Sequence, residues 1–175
     1  MRWFTDAAYT YENEADWNTM LDSYYAHLQK IEAGLPRSLA ALALEPRLNL
    51  HDAAIRSIDV DDAAHTVTMR VVAGDLQVGY RDLILVFRGA TLAPDNLQLL
   101  AFALGARYQT DHWGEVTTII RAQEVDVDPE GGFILRLRLW PFHEFAINFT
   151  AFELEESPTT PPGSITGELQ HRRPG

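Results

Sequence analysis

The period of the apolar residues changes once along this chain, and that change decides which class of fold is open to it. From about Asn13 to Ala33, Trp17, Met20, Leu21, Tyr24, Leu28 and Ile31 recur at spacings of three and four, the period of one helical face. Gly34 suits a C-terminal cap, Pro36 bars continuation, and Ser38 to Leu44 reads as a second, short helix closed by Pro46. After Leu50 the period becomes two. Val67, Met69 and Val71 alternate with Thr66, Thr68 and Arg70 as in a half-buried strand, and Ala53 to Val60 precedes it across a turn at Asp61, Asp62 and Ala63. Leu83, Ile84, Leu85, Val86 and Phe87 are apolar without a break, which predicts a central strand covered on both faces.

Leu97, Leu100, Ala101 and Leu104 fit a third helix between Pro94 and Gly105, with Asp95 as its cap. Glu115 to Val127, Phe133 to Trp140 and Phe145 to Leu154 give three more strands, the first two joined by a turn from Asp128 to Gly132. On that hairpin Phe133, Leu135, Leu137 and Leu139 share one face. Arg136 and Arg138 take the other, near Glu124 and Asp126, where cross-strand ion pairs are expected. Phe145, Ile147 and Phe149 are in phase, whereas Phe152 and Leu154 take the opposite parity, so a bulge is expected near Ala151. Residues 157–175, with Pro158, Pro161, Pro162, Gly163 and Pro174 and small polar residues between, carry too little apolar surface to offset chain ordering. The expectation is one α+β domain over residues 1–156, with N-terminal helices packed on an antiparallel β-sheet meander of about six strands. A disordered tail at 157–175 follows it.

Composition narrows the function. A chain of 175 residues with 46% hydrophobic and 22% charged residues can bury a full core without staples. The absence of cysteine removes disulfides, thiolate metal sites and cysteine nucleophiles together. No apolar run approaches a membrane span, and Met1 to Thr10 lacks the basic-then-apolar pattern of a signal peptide, so a cytoplasmic protein with no membrane association is expected. A net charge of −11 repels nucleic acid and suits a basic protein partner. No phosphate loop, nucleophile elbow or dinucleotide fingerprint occurs, and no cofactor is expected.

Three histidines adjoin acids: His51 with Asp52, Asp111 with His112, and His143 with Glu144, the residue types of metal and acid–base sites. Neighbours on a strand point to opposite faces, so such a pair forms one site only on a turn. A structural role is therefore preferred: Asp52 accepts backbone amides in an Asx-type turn, and His51 donates to a carbonyl. Asp126, Asp128, Glu130 and Gly131 imitate the start of a calcium loop, but position twelve falls on Leu137 instead of a bidentate glutamate, which leaves a hairpin turn. Trp3, Phe4, Tyr9, Tyr11, Trp17, Tyr24 and Tyr25 crowd the N-terminal region, where core packing is the expected role ahead of a recognition surface.

Three segments carry a family likeness: Met1-Arg2-Trp3-Phe4-Thr5, Tyr25-Ala26-His27-Leu28 through Ile31 to Leu35-Pro36, and Leu50-His51-Asp52-Ala53-Ala54-Ile55. They resemble an uncharacterised bacterial family, domain of unknown function 4085. The likeness covers roughly residues 1–90 as motifs and extends to about 156 as a strand pattern, with Trp3 where the family has tyrosine. It implies a cytosolic bacterial protein and brings no established activity. The Leu-His-Asp-x-x-Ile strand start also looks like one in small β-rich immunity proteins that neutralise bacterial toxins. The expectation is thus a non-enzymatic binding protein of the immunity type. The alternative is a metal-dependent hydrolase drawing on His51, Asp52, Asp111, His112, His143 and Glu144.

Overall fold

The computed structural model describes residues 1–5, 14–75, 77, 79–105, 108–110, 114–116, 118–140, 143–160 and 167–173. Helix α1 spans Glu14–Ile31 and turns Met20, Tyr24 and Leu28 inward. A short 3₁₀ turn at Glu32–Gly34 and Pro36 separate it from α2, Arg37–Leu44, which buries Leu39 and Leu42. The chain then enters β1, Ala54–Asp61, followed by β2, Thr66–Asp75, and β3, Gly79–Arg88. Helix α3, Pro94–Gly105, buries Leu100, Ala103 and Leu104. Asp95 lies inside its first turn and does not precede it as a cap.

The strand expected from Glu115 to Val127 is divided. Strand β5, Gly114–Val116, pairs with β4, Tyr108–Thr110, in a two-stranded sheet of its own, while β6, Ile119–Val127, joins the main sheet. Next come β7, Phe133–Trp140, β8, His143–Phe149, and β9, Ala151–Thr159. The parity change between Phe149 and Phe152 is a break at Thr150, where β8 ends and β9 begins. Strand β8 pairs with β7, whereas β9 crosses to pair with β3. The main sheet runs β8-β7-β6-β1-β2-β3-β9, so the strands at its two ends are joined by a single residue. The sheet thereby curls around one core, which gathers Leu85 and Phe87 from β3, Leu135 and Leu137 from β7, Phe145 and Ile147 from β8, and Leu28, Leu39 and Leu100 from the helices.

Two expectations need correction. Leu83, Leu85 and Phe87 are fully buried, but Ile84 and Val86 are only half-buried, so β3 has one covered face. Ile84 stands between Arg70 and Glu155 across the strands, and Val86 between Thr68 and Glu153, so polar neighbours screen that face instead of helices. The segment 157–175 is also not a uniformly disordered tail. Ser157, Pro158 and Thr159 extend β9 along β3, and Glu168–Arg172 form β10, which pairs parallel with Ser57–Asp61 of β1. Its pairing comes from an edge that β1 leaves open: only Ala54 pairs with β6, at Ile119. Leu169 packs on the core, and His171 Nε2 sits 2.7 Å from Asp62 Oδ2.

Candidate functional site

Ahead of β1 the chain turns at His51 and Asp52, with Asp52 in the left-handed region at φ 62°. That turn brings the two side chains together, as no strand could: His51 Nδ1 lies 3.1 Å from Asp52 Oδ2. Asp52 Oδ1 accepts Arg121 at 2.7 Å, so the carboxylate ties the turn to β6. The Asx-type cap is made by another residue than expected, since it is Asn49 Oδ1 that accepts the His51 amide, at 2.9 Å. The main chain reinforces the junction, with Asp52 N–H donating to Ile120 O at 2.7 Å and Ile120 N–H to Ala53 O at 2.8 Å.

His51 lies at one end of a cleft of about 200 Å³ between α1, the α2 end and β6. Its walls are Phe4, Trp17, Leu21, Tyr24, Leu42 and Leu44, with Tyr25 half exposed at the lip; Glu45, Asn49, His51, Arg121 and Gln123 form the polar end. Gln123 fixes that end: its Nε2 donates to Leu42 O at 3.0 Å and its Oε1 accepts Leu50 N–H at 3.3 Å. Tyr24 is fixed too, because its hydroxyl accepts the Val125 N–H at 2.9 Å. Burial drives the Tyr24 phenol well above its usual pKa, against the opposing effect of that hydrogen bond.

Beside the cleft, residues 1–4 cross three strands on the face opposite Leu135, Leu137 and Leu139. The Met1 ammonium meets Glu144 Oε2 on β8 at 2.6 Å, and Arg138 on β7 donates to Phe4 O at 3.4 Å. On β6, Glu124 is 0% exposed and accepts four backbone hydrogen bonds: two from Arg2, at 2.8 and 3.0 Å, one from Trp3 at 2.7 Å and one from Phe4 at 2.8 Å. Arg136 lies 3.9 Å from Glu124 and 3.2 Å from Asp126, while His27 Nε2 lies 3.0 Å from the other oxygen of Asp126. Of the ion pairs expected on this hairpin, those of Arg136 are present, whereas Arg138 meets Glu144 of β8, and both belong to a larger network joined to α1 and the N-terminal residues.

Of the three acid–histidine pairs, His51-Asp52 is the one with both side chains among the described residues. Asp111 and His112 lie outside those residues, and so does the His143 side chain. Glu144 is engaged by Met1 and by Arg138, at 3.1 Å. Asp52, Ile120, Leu139 and His143 follow one another across four adjacent strands or strand ends, which puts His51-Asp52 and His143-Glu144 about 14 Å apart at three strand spacings. Among the described residues no three His, Asp or Glu side chains are grouped as a metal site. The calcium-like run closes a turn: Asp128 Oδ1 accepts Glu130 N–H at 3.0 Å and its Oδ2 accepts Asn148 at 2.7 Å, while Asp126 faces α1. No helix among the described residues is long and apolar enough to cross a membrane.

Comparison with family models, curated proteins and solved structures finds no match. The site therefore rests on its own geometry. Sequence reasoning paired Glu124 with the arginines of β7 but missed its main partners, because backbone N–H groups carry no sequence signature. The density of aromatic residues near the N-terminus was the one visible signal.

Proposed function

We propose that this chain is a non-enzymatic, cytoplasmic binding protein whose cleft takes one apolar or aromatic side chain from a basic protein, in the manner of an immunity-type inhibitor. The observation that carries the reading is the size and lining of the cleft. At about 200 Å³ it falls below the roughly 300–1,000 Å³ that a drug-sized ligand or cofactor occupies, and it suits a single side chain. Aromatic walls around such a slot are what interface hot spots use, since a desolvated ring contributes far more than rim contacts. A net charge of −11 supports the choice of a basic partner, because complementary charge speeds encounter and rejects acidic competitors. The motif likeness to domain of unknown function 4085 is consistent with a bacterial protein of this kind, and membership of that family is part of the proposal.

The test is affinity capture from the native host with two baits, the wild-type chain and Ala43→Trp, in which an indole fills the cleft. The expected result is a basic protein recovered at about one copy per bait with the wild type and lost with the variant. Recovery of no stoichiometric partner rejects the binding-protein reading. Equal recovery with both baits rejects the cleft.

A further inference from the structure

One side chain fixes the path by which residues 1–4 reach the cleft. Glu124 is fully buried, and a buried carboxylate is tolerated only where donors replace its lost water. Here the donors are main-chain N–H groups of Arg2, Trp3 and Phe4, a segment outside every helix and strand. Each side of this clasp satisfies the other: without Glu124 three amides lose their acceptor, and without the segment the carboxylate loses its donors. The clasp also delivers side chains. Trp3 lies 4.6 Å from the His27 ring and 5.2 Å from Tyr24, and the Arg2 guanidinium sits 4.6 Å over the Trp3 ring. Phe4 packs 5.3 Å from Tyr24 and 6.2 Å from Trp17, and in doing so supplies part of the cleft wall.

We propose that residues 1–4 form a strap that Glu124 holds shut, and that closure of this strap completes the cleft and controls entry to it. The inference rests on the reading of the cleft as the binding site. Opening withdraws Phe4, widens the slot beside Tyr24 and Trp17, and removes the wall that limits the occupant to one side chain. Glu124 is then a positioning residue, acting on the occupant only through the strap.

The experiment follows amide exchange at Trp3 and Phe4, together with the methyl resonances of Leu21, Leu42 and Leu44, in the full chain by NMR. In Glu124→Gln the two amides should exchange about tenfold faster or more, the effect of losing a charge-assisted hydrogen bond. The cleft methyls should shift in the same variant while the β2–β3 amides keep their protection. In Glu124→Ala, sodium acetate should slow Trp3 and Phe4 exchange again by placing a carboxylate under the strap, a rescue that a generally weakened fold would not show. Unchanged exchange at Trp3 and Phe4 overturns the strap, and faster exchange with unmoved cleft methyls overturns its coupling to the cleft.

Should both Glu124 variants unfold, a nitroxide on Arg2→Cys decides with Glu124 intact, since the chain has no native cysteine to compete for the label. Selective broadening of the Leu21, Leu42 and Leu44 methyls supports the closed strap, and weak, uniform broadening rejects it. Capture with Ala43→Trp uses none of these readouts, so the strap and the partner can fail separately.

Discussion

Phe87→Ala should damage this fold far more than His51→Ala, and the comparison tests whether stability resides in the curled core or at the acid–histidine turn. The Phe87 side chain is 0% exposed, with its ring 5.1 Å from Phe149 and 5.2 Å from Phe152. It therefore bridges β3, β8 and β9 at the corner where the two ends of the sheet meet. Truncating a buried phenylalanine costs about 3–5 kcal/mol through lost transfer energy and the cavity left behind, and two ring pairs place this site towards the upper end. His51 is 54% exposed and Asp52 50%, and an exposed pair of this kind contributes under about 1 kcal/mol. Asp52 also retains Arg121 when His51 is lost. With a urea slope of about 2 kcal/mol per molar, Phe87→Ala should lower the midpoint by about 2 M and His51→Ala by less than about 0.5 M. The assay is parallel urea titration followed by circular dichroism. A larger shift for His51→Ala would refute the reasoning, because it would make the turn a buried network or a ligand site.

Deleting residues 167–175 removes β10 and the half-buried Leu169, which should cost about 1–2 kcal/mol and lower the melting temperature by about 3–6 °C; an unchanged melt would mean that β10 does not dock. Tyr24 has a folded pKa above its unfolded value of about 10, so the stability gained by keeping the phenol neutral is complete below that pH and is lost as pH rises through the folded value. Tyr24→Phe should therefore cost about 1 kcal/mol at neutral pH, where Val125 loses its acceptor, and the gap should narrow above about pH 10; a gap that widens with alkali contradicts this. Gly131 and Gly132 both have positive φ, but a Cβ at Gly132 would stand 2.5 Å from Phe149 O while one at Gly131 meets nothing. Gly132→Ala should thus be about 1 kcal/mol or more worse than Gly131→Ala in a thermal melt, and equal effects would show that the backbone angle alone matters.

What the sequence made legible was whatever an apolar side chain reports by its own spacing. The faces of α1 and β7 follow from Trp17 to Ile31 and from Phe133 to Leu139, and the parity switch between Phe149 and Phe152 marked an irregularity in the right place but read as a bulge in one strand, where two strands with different partners part at Thr150. Features that depend on a partner were hidden. Strand β10 has one apolar residue of size, Leu169, and exists because β1 leaves an edge unpaired beyond Ala54. His51 and Asp52 converge because Asp52 takes a left-handed conformation that no spacing rule announces. The clasp on Glu124 is made by main-chain donors, which every residue but proline carries.

The one-residue corner at Thr150 also bears on how this molecule behaves in a crowd. An open sheet of this many strands would offer two long rows of unpaired amides and carbonyls to any neighbour, the usual seed of edge-to-edge aggregation. Here the terminal strands of the sheet are consecutive in the chain, so they meet at a fold and do not lie at opposite rims. The outer side of β9 begins under α2, where Ser38 donates to Phe152 O, and continues through Glu153, Glu155, Glu156 and Pro158. Charge and a missing amide both discourage a foreign strand from docking there. Strand is the commonest element among the described residues, and the corner, the charges and the proline act on two of the edges at which its copies could pair.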